Sequence, residues 1–245
     1  VKISASVVKK YKACHRRWAF GKLAGLQEPG SKYTQEGRDC HAIAERWLSL
    51  GVLRGDPKQV AAFSESIPIL PRPGTCGVEI PFEYVFDGVV FHGFIDAWDF
   101  TTGQKIDHKF VGSFGYAMTP ADLAVDPQAI IYAMAPPTVP VPELVWSYVA
   151  KRGGGSRPTV LRLPLVEAEA VLRSSILPAA REMCEFHDAF AGQSAETKVD
   201  LINELVPCNP GDCLSFGIHC PHGRECSHTE PYHPTKEPKC HQSKN

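Results

Sequence analysis

The chain has 245 residues, 43% of them apolar, 9% aromatic and 22% charged, and its 26 basic and 27 acidic side chains leave a net charge of −1. This supplies a real core for one domain, or for a core with an appended module, and excludes wholesale disorder and collagen-like or coiled-coil architectures. No stretch approaches about 18 consecutive apolar residues, which excludes a transmembrane helix, and the near-neutral total names no partner.

Charge is distributed unevenly. Between Val1 and Gln27 stand Lys2, Lys9, Lys10, Lys12, Arg16, Arg17 and Lys22, with no acidic residue. The segment lacks the apolar run of a secretory signal. It shares its acid-poor, amphipathic character with organellar transit peptides, but its Trp, Phe, Tyr and Cys content argues that it is retained. Val7, Tyr11, Cys14 and Trp18 recur at helical spacing, with Ser4 or Ser6 as cap. The basic face of this helix is either solvated or in contact with phosphates.

A second helix is expected over about 35–50, stopped by Gly51, with His41 and Glu45 on one face. Asp56-Pro57 opens a short helix. The centre is β-rich. A strand over 77–86 ends at the hairpin signal Asp87-Gly88, a second runs over 89–100, and a third over 105–110 follows the turn at 101–104. Asp126-Pro127 opens a helix that Pro136-Pro137 ends. Strands are expected over 143–150 and 159–165, joined by a basic, glycine-rich loop from Lys151 to Arg157 that is not a P-loop, because no Gly-Lys-Ser/Thr follows. A long helical pattern from 166 to 190 is interrupted by Pro178. From Pro207 the composition shifts to Cys, His, Pro and Gly, and the residues after 228 form a polar tail.

The chemistry concentrates in Gly93-Phe94-Ile95-Asp96, a turn, and Ile106-Asp107-His108-Lys109. Strand side chains alternate, so Asp107 and Lys109 project to one side. Two carboxylates and an ammonium on one sheet face are costly to bury unless a hard divalent cation and a phosphate join them. Glu45 reads as a helix-surface charge, and Glu79 and Glu83 as strand surface carboxylates without a role. On the helix opened by Asp126, Gln128 and Tyr132 stand one turn apart on one face.

In this order, His41, Gly93 to Asp96, Asp107 to Lys109 and Gln128 to Tyr132, the chain resembles the PD-(D/E)XK nuclease superfamily. The branch it resembles is the RecB-like one, with its AddB-type nucleases and the CRISPR-associated nucleases of spacer acquisition. The resemblance implies an α/β fold with a restriction-endonuclease-like core, a central mixed sheet flanked by helices. It implies His41, Asp96 and Asp107 as ligands of Mg²⁺ or Mn²⁺, with the backbone carbonyl of His108, whose side chain points to the other face. It implies Lys109 as the catalytic lysine, and Gln128 and Tyr132 as support for the site and contact with DNA.

Nine cysteines without a signal sequence read as metal binding before disulfides. In iron–sulfur members of this branch, one N-terminal and three C-terminal cysteines hold the cluster. The matching residues are Cys14, Cys213, Cys220 and Cys226, implying a 4Fe–4S cluster. The spacing C-x6-C-x5-C departs from the C-x2-C-x5-C of many members. Cys208 therefore remains an alternative ligand, and zinc held with His219, His222 or His228 remains an alternative metal. Cys40, Cys76, Cys184 and Cys240 read as core or tail residues.

The organisation expected is a basic helix over 1–34 that joins a small metal-clasped lobe, a nuclease core over 35–165, and helices over 166–206. A Cys-rich segment over 207–228 and a flexible tail over 229–245 follow. The activity expected is exonucleolytic hydrolysis of single-stranded DNA or DNA ends in recombination, repair or phage DNA metabolism. A structure-specific endonuclease and a non-catalytic DNA-end-binding subunit are the alternatives. The setting expected is cytoplasmic, in a bacterial, archaeal or phage-infected cell, with DNA and a separate helicase or recombination protein as partners.

Overall fold

The computed structural model describes residues 1–28, 32–151, 155–213 and 220–227. The expectations for Arg152, Gly153 and Gly154 of the basic loop, for His219, His228 and Cys240, and for the tail over 229–245 lie outside these residues. In chain order the elements are β1 (Lys2–Ile3), α1 (Ala5–Ala13), α2 (His15–Lys22), α3 (Lys32–Leu50), α4 (Pro57–Ser64), β2 (Cys76–Phe86), β3 (Val89–Asp99), β4 (Lys105–Val111), α5 (Pro120–Leu123), α6 (Pro127–Met134), β5 (Glu143–Ala150), β6 (Ser156–Arg162), α7 (Leu165–Val171), α8 (Leu177–Ala189) and α9 (Ala195–Leu205). Among the described residues no helix is long and apolar enough to cross a membrane.

The chain divides into two compact units, one of residues 1–6 and 30–181, the other of residues 7–29 and 182–245. The first holds a six-stranded mixed sheet flanked by helices, the expected α/β architecture. Its organising hairpin turns at Asp87 and Gly88, both with positive φ, 50° and 82°. Positive φ at both central residues suits the strand twist of a two-residue turn, and Gly88 adopts it without a Cβ penalty. The turn sets Phe86 opposite Val89, and the antiparallel register then runs back to Cys76 opposite Asp99.

β2 occupies one edge of β3 along its whole length. On the other edge β1 pairs at Val90 and Phe91, and β4 pairs at Ala97 and Trp98. Between them β3 is open, because β4 turns away to run parallel with β5 from Lys105 to Val111. One face of the sheet packs on α3 and α4, where Ile43, Ala44, Trp47, Leu48 and Phe63 meet Ala97, Ile106 and Val145. On the other face lies α6, whose Tyr132 ring meets Phe82 at 5.8 Å and Trp146 at 6.0 Å. Asp126 caps α6 by accepting from the Gln128 and Ala129 amides. At the far end of α6 the buried Lys105 ammonium donates to the carbonyls of Tyr132 at 2.9 Å and Ala135 at 2.5 Å. A cation there answers the carbonyl end of the helix dipole, although burial pushes the Lys105 amine down to about 8.

Three local expectations are corrected. The N-terminal helix is two helices preceded by a strand: Cys14 is extended, at φ −156° and ψ 113°, and separates α1 from α2. The strand expected over 159–165 runs instead over 156–162, since the tight return from β5 pairs Ser156 with Val149 and Arg162 with Glu143. Pro178 does not break its helix. A π turn from Leu172 to Ile176 precedes it and absorbs the hydrogen bond that a proline nitrogen cannot donate. The helices expected over 166–206 include α9, which Ser194 caps through the Thr197 amide.

The second unit turns basic residues inward. Arg16, 4% exposed, donates to the Val206 and Asn203 carbonyls, both at 2.9 Å, and so closes the carbonyl end of α9. Arg17 forks onto Glu28 at 3.2 and 3.1 Å, and Lys10 reaches the same carboxylate at 2.9 Å. Arg16 is therefore withdrawn from any basic face, and the part-buried Arg17 and Lys10 spend their charge on Glu28; together they tie α1 and α2 into their own unit.

Burial alone would raise the Glu28 carboxyl, yet Arg17 and Lys10 hold it down at about 2, against an ordinary 4.5. A depressed carboxylate contributes stability above its unfolded pKa and loses it as pH falls toward the folded one. Glu28→Gln should therefore cost about 2 kcal/mol at neutral pH. Chemical denaturation across pH should show the deficit shrinking below pH 4.5 and vanishing near 2.

Candidate functional site

The open edge of β3 is where the sequence-predicted residues meet. Two backbone groups that the fork leaves outside the strand ladder find side-chain partners. The His108 amide donates to Asp96 Oδ2 at 2.7 Å, and the Tyr132 hydroxyl donates to the Phe94 carbonyl at 2.6 Å. The fork is thus held apart by a carboxylate and a phenol.

Asp107 lies beneath, 1% exposed. Its Oδ2 ion-pairs with Lys109 Nζ at 2.5 Å, outside hydrogen-bond geometry. Its Oδ1 accepts from Gln128 Nε2 at 2.6 Å. The same Nε2 donates to the Tyr132 hydroxyl at 3.0 Å, while Gln128 Oε1 accepts from Lys109 Nζ at 3.1 Å. Gln128 therefore spends both kinds of amide function on the site, holding Asp107, Lys109 and Tyr132 in one network. The spacing that puts Gln128 and Tyr132 on one helix face is what lets both reach the strand.

His41 enters from α3, with its Nδ1 3.5 Å from Asp96 Oδ2 and its ring edge-on to Phe110. The His108 ring, 1% exposed, packs with Phe63 and Phe110 and lies 6.4 Å from the His41 ring, while its backbone amide faces Asp96. Gly93 allows the close packing here: a Cβ would come within 2.8 Å of the Phe82 ring.

The electrostatics follow from burial and crowding. Burial, then the Asp107 charge, raises the Asp96 carboxyl well above the carboxylate range. Burial works against the Lys109 ammonium, but Asp107 outweighs it and keeps the lysine charged. Burial lowers His41, favouring the neutral imidazole that a metal accepts, and pushes His108 down to about 3. Burial, reinforced by Asp107 and Asp96, raises the Tyr132 phenol, which remains a donor.

Glu79, expected as a strand surface carboxylate without a role, is exposed on β2 and comes close to two of the predicted ligands. Among the described residues, His41, Glu79 and Asp96 form the group whose ligand atoms lie within 4.8 Å of one another, a set able to hold a metal ion. The signal was present: with Phe86 opposite Val89, counting back along the hairpin puts Glu79 between the pairs Val78–Ala97 and Ile80–Ile95, across from Asp96. Mixed oxygen and imidazole donors, and an Asp96 carboxyl raised by burial and then by the Asp107 charge, suit a divalent cation.

In the second unit Cys14, Cys208, Cys213, Cys220 and Cys226 share one neighbourhood. Burial raises the Cys213 thiol, and the other four cysteines raise it further. N–H groups point at the sulfurs: the Asn209 amide at Cys14 Sγ, 3.4 Å away, Arg16 Nη1 at Cys226 Sγ, 3.8 Å away, and the His222 amide at Cys220. Such donors favour thiolate, and soft sulfur ligands suit an iron–sulfur cluster or zinc. The His222 ring, 2% exposed, faces Phe20 at 5.4 Å.

Residues 2–72 match the family model of the PD-(D/E)XK nuclease superfamily. That stretch includes His41 and ends before Glu79. The match supports this superfamily for the chain, and with it a metal-dependent nuclease in general; the mixed sheet flanked by helices is consistent with the superfamily's restriction-endonuclease-like fold. No curated protein matches. A solved structure titled "Crystal structure of SSO0001" is similar at 16% identity and a TM-score of 0.36, over 72% of this chain and 75% of that one.

The phenol of Tyr132 holds the fork, so Tyr132→Phe should lose about 1–3 kcal/mol by leaving the Phe94 carbonyl without its donor. Urea denaturation of the two proteins measures the difference.

Proposed function

We propose that the chain is a Mg²⁺- or Mn²⁺-dependent deoxyribonuclease that hydrolyses single-stranded DNA or DNA ends as an exonuclease, in recombination, repair or phage DNA metabolism. The observation that carries the reading is the meeting of His41, Asp96, Asp107, Lys109, Gln128 and Tyr132 at one strand fork. His41, Asp96 and Asp107, with the His108 carbonyl, would hold the cation. When bound, it supplies Lewis acidity toward a phosphodiester oxygen and a lower pKa for the attacking water.

The chain's own groups do the rest. Lys109 stays protonated beside Asp107, a fixed positive charge for a phosphate oxygen whose negative charge grows as water adds to phosphorus. Gln128 holds the ammonium by its carbonyl oxygen, so the charge is in position before substrate arrives. Tyr132 keeps the strands parted and Asp107 oriented. DNA is the partner in this reading, with any motor on a separate helicase or recombination protein, in the cytoplasm.

Lys109→Ala or Asp107→Asn should lower cleavage by about 10²-fold or more while DNA binding persists. Labelled single- and double-stranded DNA with Mg²⁺ or Mn²⁺ provides the assay, and wild-type turnover by either variant defeats the reading. Labels at the 5′ and 3′ ends separate exonuclease from endonuclease action.

The cysteine lobe is read as a 4Fe–4S site held by Cys14, Cys213, Cys220 and Cys226, supported by the shared neighbourhood of the thiols and the N–H groups aimed at them. Protein purified without oxygen should be brown and contain iron and acid-labile sulfide. Cys14→Ser should lose the colour as fully as Cys226→Ser. A coloured Cys14→Ser protein would move the fourth ligand to Cys208, and zinc without iron would replace the cluster with a zinc site.

A further inference from the structure

The geometry assigns Glu79 as a protein ligand of the divalent cation, joining His41 and Asp96. The assignment rests on the metal-dependent reading above and goes beyond it. His41, Glu79 and Asp96 each bring a ligand atom within 4.8 Å of the other two. Asp107 stands differently, since Lys109, Gln128 and Tyr132 all crowd its two oxygens. A cation at the fork therefore finds its nearest ready set of donors in the first three residues, and Glu79 is the one that comes from β2.

The cross-strand arrangement gives the second argument. Glu79 and Asp96 face each other across the β2–β3 ladder, between the pairs Val78 with Ala97 and Ile80 with Ile95. Like charges directly opposed on adjacent strands destabilise a sheet. Among the described residues no basic side chain pairs with Glu79, and Glu45 and Asp107 add to the repulsion it feels. A bound cation relieves this conflict, and hard oxygen ligands are what Mg²⁺ and Mn²⁺ accept.

The backbone at Glu79 is also unusual. Its φ is +49°, in the left-handed region that side chains other than Gly and Asn seldom adopt. At this residue the strand changes the layer it faces: Val78 packs against the α3 core, whereas Phe82 meets Tyr132 and Tyr84 bonds the Ile131 carbonyl. The turn is needed for the fold, and a glycine or asparagine would make it with less strain. The glutamate in that place puts a carboxylate beside His41 and Asp96.

Titration of the full chain with Mn²⁺, reading free ion by electron paramagnetic resonance in the absence of DNA, tests the assignment without activity. Glu79→Gln, which keeps side-chain length, should weaken Mn²⁺ binding about 10-fold or more. Glu79→Asn, which suits the left-handed backbone, should weaken it as much while holding or raising the melting temperature, so a folding defect is told apart from a lost ligand. Glu83→Gln, on the same strand and ion-paired with Lys2, is the charge control and should bind as wild type does. Unchanged affinity in the Glu79 variants, or equal weakening by Glu83→Gln, overturns the assignment while leaving the nuclease reading intact. Absence of Mn²⁺ binding by the wild-type chain overturns both.

Discussion

The structure depends on how β3 shares its second edge. β1 takes two residues of it at one end and β4 two at the other, and the stretch between has no strand partner. A bare sheet edge inside a protein leaves amides and carbonyls to be satisfied. Here the carboxylate of Asp96 and the phenol of Tyr132 satisfy two of them, so the groups that repair the sheet also line the opening. Stability and chemistry therefore share the same atoms, and the core residues of α3 and α6 matter to the site because they clamp the fork from both faces.

Burying two acids with a single lysine makes the opening electrostatically incomplete. Lys109 pairs with Asp107, while Asp96 is driven toward protonation by burial and by its neighbour. Gln128 prevents the network from collapsing into a simple ion pair, because its amide donates to the acid and accepts from the base. The result is a set of carboxyl groups that cannot all ionise at once, an arrangement that suits a divalent cation.

The second unit solves a different problem. Among its described residues it has no strand, and charged side chains serve as its fasteners. Arg16 closes the end of α9, and Glu28 gathers Arg17 and Lys10. Basic residues that look available for phosphates in the sequence are already committed to carbonyls and a carboxylate. Arginine suits this because its planar fork satisfies several acceptors at once.

Much of the first unit was legible along the chain, since local chemistry decides local elements. Asp126-Pro127 and Asp56-Pro57 marked helix starts, Asp87-Gly88 marked the hairpin, and alternation put Asp107 and Lys109 on one side of β4. The motif order also put His41, Asp96, Gln128 and Tyr132 in view before any geometry. What the chain could not reveal was where β4 leaves β3, because the divergence is set by its parallel pairing with β5, about 40 residues later in sequence. The place of Glu79 follows from the register of the hairpin, but its nearness to His41 follows only from α3 packing on the sheet. The inward turn of Arg16 required α9, nearly 190 residues away. The sequence by itself determined the elements and the chemistry each carries; the tertiary structure decided which of those groups share a fork and which serve as fasteners, since that choice rests on long-range packing and on satisfying buried polar atoms.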